Sequence, residues 1–163
     1  MPKQVYSTKT YRVRESIGYL MKRTSAMMTD RIEATFESHG FTFTQWVVLM
    51  YLRDGIGVTP ATICRDIRHD SGALTRVIDQ LEERGLIERQ RSREDRRAIE
   101  LRLTPAGREM AEQLLPLTVN CLNEALDVFT VDEAQQLKNL LQRMFDHLEK
   151  GSRVDAASRE KPA

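Results

Sequence analysis

Cysteine and long apolar runs are both scarce in this sequence. Its 163 residues contain two cysteines, Cys64 and Cys121, which lie far apart and do not suggest a disulfide framework. No apolar run approaches the roughly 20 residues that cross a bilayer, and the first residues lack the apolar core of a signal peptide. These absences predict a cytoplasmic protein without a membrane partner.

Motifs for catalysis and metal binding are missing as well. The sequence contains no glycine-rich phosphate loop, nucleophile elbow or metalloprotease helix. Its three histidines, His39, His69 and His147, are widely spaced and share no metal-ligand motif. We therefore predict that the chain is not an enzyme and has neither cofactor nor metal. A small enzyme stays an alternative, for which a convergent nucleophile and base would be needed.

Net charge is almost balanced, but its distribution is uneven. The chain has 25 basic and 24 acidic residues, and so a net charge of +1, whereas nucleic-acid binders often show a large positive excess. Residues 89–97 nevertheless contain five arginines against two acids, which gives a local charge of +3. Basic charge is therefore concentrated in one short polar segment.

Apolar spacing and capping signals predict four helices in the first half of the chain. One helix is expected over Thr10–Ser38, about 40 Å long, which exceeds one small core and favours a dimer interface. Thr44 is expected to cap the second helix. A short third helix over Thr59–Ile67 and a fourth over Asp70–Arg84, joined by a tight turn, form a candidate helix-turn-helix.

A hairpin and two further helices are predicted in the second half. The strands are expected at Leu86–Arg89 and Ala98–Leu103, the second of which alternates apolar and charged residues. Thr104 and Pro105 signal the start of the fifth helix, and a capping box at Thr130–Glu133 signals the sixth.

The resulting order is α-α-α-α-β-β-α-α, a mainly α fold with a small β-hairpin wing. We expect an N-terminal dimerisation helix at 10–43 and a winged helix-turn-helix at 44–104. C-terminal dimerisation helices are expected at 105–149, and a disordered polar tail at 150–163.

The fourth predicted helix has two different faces. Leu74, Ile78 and Leu81 follow the spacing of a buried stripe. Small or polar residues that could face a DNA groove lie opposite, namely Ser71, Gly72, Thr75, Arg76 and Asp79. An arginine has the reach to contact a guanine edge or a phosphate, and arginines at a hairpin tip suit the minor groove. This combination predicts binding to double-stranded DNA.

The segment from Asp95 to Gly107 resembles the D-x-R-x-x-x-L-x-L-T-x-x-G signature of the multiple-antibiotic-resistance regulator (MarR) family. Upstream, residues 71–76, together with residues 81–82 and 85–87, are similar to that family's recognition helix and its exit. The resemblance covers about residues 10–149. It implies an obligate homodimer, formed through the N- and C-terminal helices, that places one winged helix per subunit on a palindromic site.

Together, pattern and resemblance give a set of expected DNA-binding residues: Ser71, Gly72, Thr75, Arg76, Arg93, Asp95, Arg96 and Arg97. The resemblance places Asp95 and Arg97 on the family's wing salt bridge, so Arg97 is the candidate for the minor groove.

Family members are commonly released from DNA by small aromatic acids or phenols, and the resemblance implies a pocket between the dimerisation helices and the DNA-binding lobe. The polar or aromatic candidates there are Arg14, Tyr19, Arg23, His39 and Trp46. Arginine suits a carboxylate, and tryptophan or tyrosine can stack on a ring. Each also has a plainer interpretation: Trp46 as a core residue, and the two arginines as solvated or interfacial.

We therefore expect a sequence-specific transcription regulator, a repressor that a small aromatic or phenolic acid releases from a palindromic operator. A regulator that responds to cysteine oxidation is one alternative, although residues 5–24 hold no cysteine and both Cys64 and Cys121 fit inert buried positions. A helical dimeric adaptor without specific DNA binding is another. Retention of Asp95, Arg96 and Arg97 in the predicted wing speaks against it.

Overall fold

In the part of the chain that the structure describes, six α-helices and one two-stranded hairpin follow each other in the order that the sequence predicts. The computed structural model describes residues 4–92 and 98–159, the last eight as backbone only. The elements are α1 Ile17–Thr35, α2 Phe43–Asp54, α3 Pro60–Ile67, α4 Ser71–Glu83, β1 Ile87–Arg91, β2 Ile99–Leu103, α5 Pro105–Leu126 and α6 Val131–Arg159. The predicted fold class, a mainly α chain with a β-hairpin wing, is confirmed.

The chain divides into two compact units between Leu122 and Asn123. The N-terminal unit contains α1 to α4, the hairpin and most of α5, and it holds the hydrophobic core. Its fully buried apolar side chains come from every one of these elements except α1, and they include Phe36, Leu49, Ile63, Leu74, Ile78, Leu81, Ile87, Leu101 and Leu114.

The prediction of one continuous helix over Thr10–Ser38 is wrong at both ends. Ser16 is extended (φ −75°, ψ 142°), and its hydroxyl accepts a hydrogen bond from the Tyr19 N–H, so that α1 begins at Ile17 after a separate 3₁₀ turn. Serine favours this capping geometry over a helix interior. At the other end the chain passes through buried Phe36 and a second 3₁₀ turn, which Gly40 ends in the left-handed region (φ 63°).

The start of α2 also differs from the prediction. Thr42, and not Thr44, is the N-cap. Its hydroxyl accepts from the Gln45 N–H, while the Gln45 side chain accepts from the Thr42 N–H, which makes a reciprocal capping box. Thr44 lacks a glutamine or glutamate three residues ahead and lies inside the helix.

The last helix is longer than expected. Its predicted capping box is confirmed, since both the N–H and the hydroxyl of Thr130 donate to Glu133 and lower the pKa of that carboxyl. α6 then runs past Gly151 to Arg159, beyond the point at which the sequence predicts that the polar tail begins. Residues 152–159 contain no proline and two alanines, and one glycine costs a helix only about 1 kcal/mol.

The hairpin is a short antiparallel pair whose strands lie one or two residues away from the predicted bounds. Ile87 pairs with Leu103, and Arg89 pairs with Leu101. The buried Ile87 and Leu101 side chains anchor the base in the core, and the Leu101 N–H donates to the Val58 carbonyl at 2.6 Å. The hairpin is therefore fixed at its base to the connection that precedes α3.

The hairpin joins α5 through a close backbone contact. The Thr104 hydroxyl donates to the Gly85 carbonyl at 2.7 Å and accepts from the Gly107 N–H at 3.0 Å. Gly107 lies so close to the chain before β1 that a Cβ there would be 1.8 Å from the Leu86 carbonyl oxygen. The Thr-x-x-Gly part of the sequence motif thus has a packing role.

We predict that Gly107→Ala destabilises the protein by about 1–3 kcal/mol, because the added methyl group forces two backbone segments apart. Gly18→Ala is the matched control, since a Cβ at this helical position meets nothing within 4 Å. Urea unfolding followed by circular dichroism measures both. Equal midpoints for the two variants would contradict the close contact.

Candidate nucleic-acid interface

α3 and α4 are joined by the three-residue turn Arg68–Asp70. Thr59 caps α3, Pro60 occupies its first turn, and Asp70 caps α4 by accepting from the Ala73 N–H at 2.9 Å. Arg68 adopts the left-handed region (φ 50°) that reverses the chain. Each of these local signals is present in the sequence, and together they build the predicted helix-turn-helix.

Burial divides α4 into two faces. Leu74, Ile78 and Leu81 are almost completely buried, which fixes the rotation of the helix about its own axis. Four of the five residues predicted to face DNA on this helix are exposed, namely Ser71, Gly72, Thr75 and Arg76, whereas the fifth, Asp79, is half-buried. The structure therefore brings these four together on one solvent-facing surface in the first half of α4, which we call the α4 face.

The α4 face combines small groups with one long cation. The Thr75 hydroxyl donates to the Ser71 carbonyl at 2.8 Å, and Gly72 leaves the backbone uncovered. The Arg76 side chain forms no hydrogen bond or ion pair with any residue that the structure describes, so its guanidinium is available to a ligand. Arginine can donate two parallel hydrogen bonds to a guanine edge or to a phosphate.

Further along α4, an arginine of the hairpin forms ion pairs with both Asp79 and Glu82. Arg89 on β1 donates to the Asp79 carboxylate at 2.5 Å and also to Glu82. The hydrogen bond that Arg89 donates to Asp79 is the main reason that the pKa of Arg89 is raised. The sequence predicts Asp79 as groove-facing and places Arg89 at the end of the first strand and in the basic segment, so it does not predict this pairing. The sequence does contain one signal for this pairing: two acids three residues apart lie on one face of a helix, and an arginine follows on the next strand.

The other flank of α4 is tied to the connection between α1 and α2. The Arg84 guanidinium lies 4.0 Å from the centre of the Phe41 ring and donates to the carbonyls of Gly40 and His39. Buried Gln45 donates to the Gln80 side chain at 3.0 Å. These contacts hold the second half of α4 from the side of α2.

The remaining predicted DNA-binding residues, Arg93, Asp95, Arg96 and Arg97, lie outside the described residues. The described part of the hairpin ends at Ser92, whose N–H donates to the Ala98 carbonyl at 3.0 Å.

The predicted ligand-pocket residues are dispersed over the N-terminal unit. Arg14 and Arg23 are exposed, whereas Tyr19 and His39 are half-buried. A shallow cavity of about 380 Å³ lies next to the α1–α2 connection, and none of the five candidates lines it; its lining is Glu33, Ala34, Glu37, Gly40, Phe41 and Thr42.

Trp46 differs from the other ligand candidates. It packs against the core between Phe36 and Phe43, with ring centroids 6.1 and 5.5 Å away. Its indole Nε1 is buried and has no acceptor among the described residues. A buried donor without a partner is costly, which makes it a place where an acceptor would bind favourably.

The C-terminal unit presents an open apolar groove of about 740 Å³. Its apolar lining includes Leu126, Phe129, Val131, Leu137, Leu141 and Phe145. Phe145 and Leu148 are each about 60% exposed. Isolated exposed leucines are ordinary, but a continuous apolar surface of this kind is typical of an interaction site.

The described residues were compared with the requirements of a membrane-spanning helix and of a metal site. Among residues 4–92 and 98–159, no single helix combines the length and apolar character of a membrane span, whereas α5 and the first part of α6 meet that threshold only as a bent pair. No three histidine, cysteine or carboxylate side chains converge as metal ligands within the described part of the chain.

Known proteins share both the sequence and the architecture. The MarR family model matches residues 39–98. The chain is 37% identical over 75 residues to the transcriptional repressor MprA of Escherichia coli K12, a match that covers 46% of this chain and 43% of that protein. It is 35% identical over 105 residues to the multiple antibiotic resistance protein MarR of Salmonella typhimurium LT2, which covers 64% of this chain and 73% of that protein.

Two solved structures superpose over most of the chain. A mutant MarR of E. coli complexed with operator DNA gives a TM-score of 0.71 at 27% identity, covering 83% of this chain and 99% of that one. Bordetella bronchiseptica BpsR, described with regulation of its DNA binding by 6-hydroxynicotinic acid, gives 0.74 at 26% identity, covering 83% and 97%.

The helix-turn-helix, the adjoining hairpin and these superpositions define a winged-helix protein. The chain belongs to the MarR family of transcription regulators, because it spans 73% of a MarR protein at 35% identity. Against the first relative, MprA, it spans less than half of the length.

Proposed function

We propose that this protein is a sequence-specific DNA-binding transcription repressor that reads the major groove with the α4 face. The observation that carries the proposal is the two-sided character of α4: one face is locked in the core, and the other presents small residues and an Arg76 that has no partner among the described residues. The MarR of E. coli, a similar protein, has been solved with operator DNA. A relative over 75 residues, MprA, is named a transcriptional repressor.

The protein acts in this proposal as a homodimer on a palindromic operator. The groove of the C-terminal unit is apolar and open, and a second copy of the chain would remove its leucine and phenylalanine side chains from water. α1 also exposes an apolar row, at Ile17, Leu20, Met21 and Met27. Two copies present two α4 faces, whose half-sites would lie about one helical turn apart.

A small aromatic acid is the proposed signal. The buried Nε1–H of Trp46 lacks an acceptor among the described residues, and a carboxylate or ring hydroxyl oxygen could accept its hydrogen bond beside the Phe36 and Phe43 rings. BpsR, which is similar in structure, is described with regulation of its DNA binding by a hydroxylated aromatic acid, 6-hydroxynicotinic acid.

Cysteine oxidation has less support. Cys121 is buried, and the Cys64 thiol donates to the His69 carbonyl at 3.0 Å inside the helix-turn-helix. Neither thiol forms a contact with a cationic side chain among the described residues, and a cationic neighbour is one of the common ways in which a cysteine is made reactive.

We predict tight binding to the protein's own promoter region and weak binding to an unrelated duplex, measured by fluorescence anisotropy at two salt concentrations. Arg76→Ala should weaken promoter binding by about 1–3 kcal/mol, because a groove contact is lost. Arg108→Ala removes the same charge from an exposed position on α5 and should bind like wild type. Equal weak binding to both duplexes, or full affinity of Arg76→Ala, would contradict the proposed reading of bases. Absence of all DNA binding would favour the adaptor alternative.

We predict that 6-hydroxynicotinic acid or benzoic acid changes the fluorescence of Trp46, the single tryptophan of the chain, and releases the promoter. In Trp46→Phe, the acid concentration that releases the promoter should rise by at least about tenfold, because a hydrogen bond to a charged group contributes about 1.5–3 kcal/mol. Tyr51→Phe, which removes a polar group from the same helix, is the control. The aromatic-acid signal is refuted if neither acid alters the fluorescence and both variants release DNA like wild type.

A further inference from the structure

The hairpin is linked to α4 by one forked side chain. Arg89 lies in the middle of β1, and its guanidinium reaches two carboxylates that are three residues apart on α4. The Nη2 atom donates to Asp79 at 2.5 Å, and Nη1 donates to Glu82. Within residues 4–92 and 98–151, these are the only hydrogen bonds or ion pairs between side chains of α4 and the hairpin.

The base of the hairpin is held by other means. Buried Ile87 and Leu101 pack into the core, and the Leu101 N–H bonds to the Val58 carbonyl. Beyond these residues β1 is exposed and β2 contributes exposed Ile99 and half-buried Glu100. An isolated two-stranded ribbon is only marginally stable in water. The Arg89 side chain binds α4 two residues beyond Ile87, and it therefore constrains the direction in which the rest of the hairpin extends.

Arginine is suited to set a direction as well as to supply charge. Its planar guanidinium donates along fixed axes, so that two carboxylates on one helix define the orientation of the strand that carries it. Arg89, Asp79 and Glu82 are each about a third to a half exposed. Their direct effect on stability is therefore small, because exposed ion pairs contribute little.

The same pairing changes the charge beside the α4 face. Asp79 is three residues from Arg76, and an unpaired carboxylate there would repel a DNA phosphate. While Arg89 holds both acids, their charge is partly compensated. The cation is used inside the protein and is not available to neutralise phosphate.

We infer that Arg89 is a positioning residue that sets the hairpin against α4, so that wing and α4 face meet DNA in one fixed geometry. The inference rests on the proposed function and adds to it a residue that acts through Asp79 and Glu82 and not by touching DNA. We therefore expect that neutralising Asp79 and Glu82 lowers the affinity for DNA, although the change also removes negative charge near the DNA.

The test compares Arg89→Gln, the double variant Asp79→Asn with Glu82→Gln, and the triple combination. Promoter affinity is measured by anisotropy, and hydrogen exchange is measured at the hairpin amides. Arg89→Gln and the double variant should each lose about three- to tenfold in affinity, the range that two exposed ion pairs span. The triple variant should be no weaker than Arg89→Gln alone, because all three changes break one link.

Hairpin amides should exchange faster in each of these variants, while the unfolding midpoint stays close to that of wild type. Arg91→Gln removes the same charge from the same strand without breaking a described bond to α4, and its exchange rates should match wild type. Tighter promoter binding by the double variant would show that Arg89 contacts DNA itself and would overturn the inference. If the hairpin amides of Arg89→Gln exchange at the wild-type rate, the link between Arg89 and α4 is refuted, whether or not the protein binds its promoter. If the wild type binds no promoter, only the proposed function is refuted.

Discussion

The burial of one face of α4 is the constraint on which the rest of this structure depends. Leu74, Ile78 and Leu81 lie in the core of the N-terminal unit, and a helix held at three successive turns cannot rotate about its axis. The orientation of Arg76 and its small neighbours follows from that packing. A surface that is to read DNA bases must be presented rigidly, and here the hydrophobic core supplies the rigidity.

Polar contacts on both flanks complete the placement of α4. Arg89 ties it to the hairpin, and Arg84 ties it to the α1–α2 connection through Phe41 and the neighbouring carbonyls. Trp46 lies on α2 close to that connection, against Phe36, and its indole N–H has no described acceptor. In the proposed mechanism, a ligand at Trp46 acts on the same packed elements that hold α4, so DNA and ligand binding would be coupled reciprocally.

Local signals in the sequence predict most of this fold. The Thr59–Pro60 start, the Asp70 cap and the Thr130–Glu133 box each involve neighbours in the chain, and all are present in the structure. The long first helix fails because Ser16 can satisfy helix amides as a cap, which apolar spacing does not register. The fork of Arg89 depends on a register between strand and helix that only the tertiary structure fixes.

The candidate DNA surface was predictable where one helix carries it and not where elements combine. The exposure of Ser71 and Thr75 follows from helical periodicity, since the buried stripe defines the opposite face. The ligand candidates came from resemblance, and their burial depends on distant contacts. Arg14 is exposed, whereas Trp46 packs on the core. The burial of each ligand candidate is therefore determined by long-range packing, which the spacing of residues in the sequence does not reveal.

Protection of guanine N7 from methylation by dimethyl sulfate on promoter DNA tests the central claim most directly, because N7 is exposed in the major groove. We expect protected guanines in two half-sites about one helical turn apart, and loss of that protection in Arg76→Ala. Unprotected guanines, or protection that Arg76→Ala leaves unchanged, would contradict a major-groove role for the α4 face.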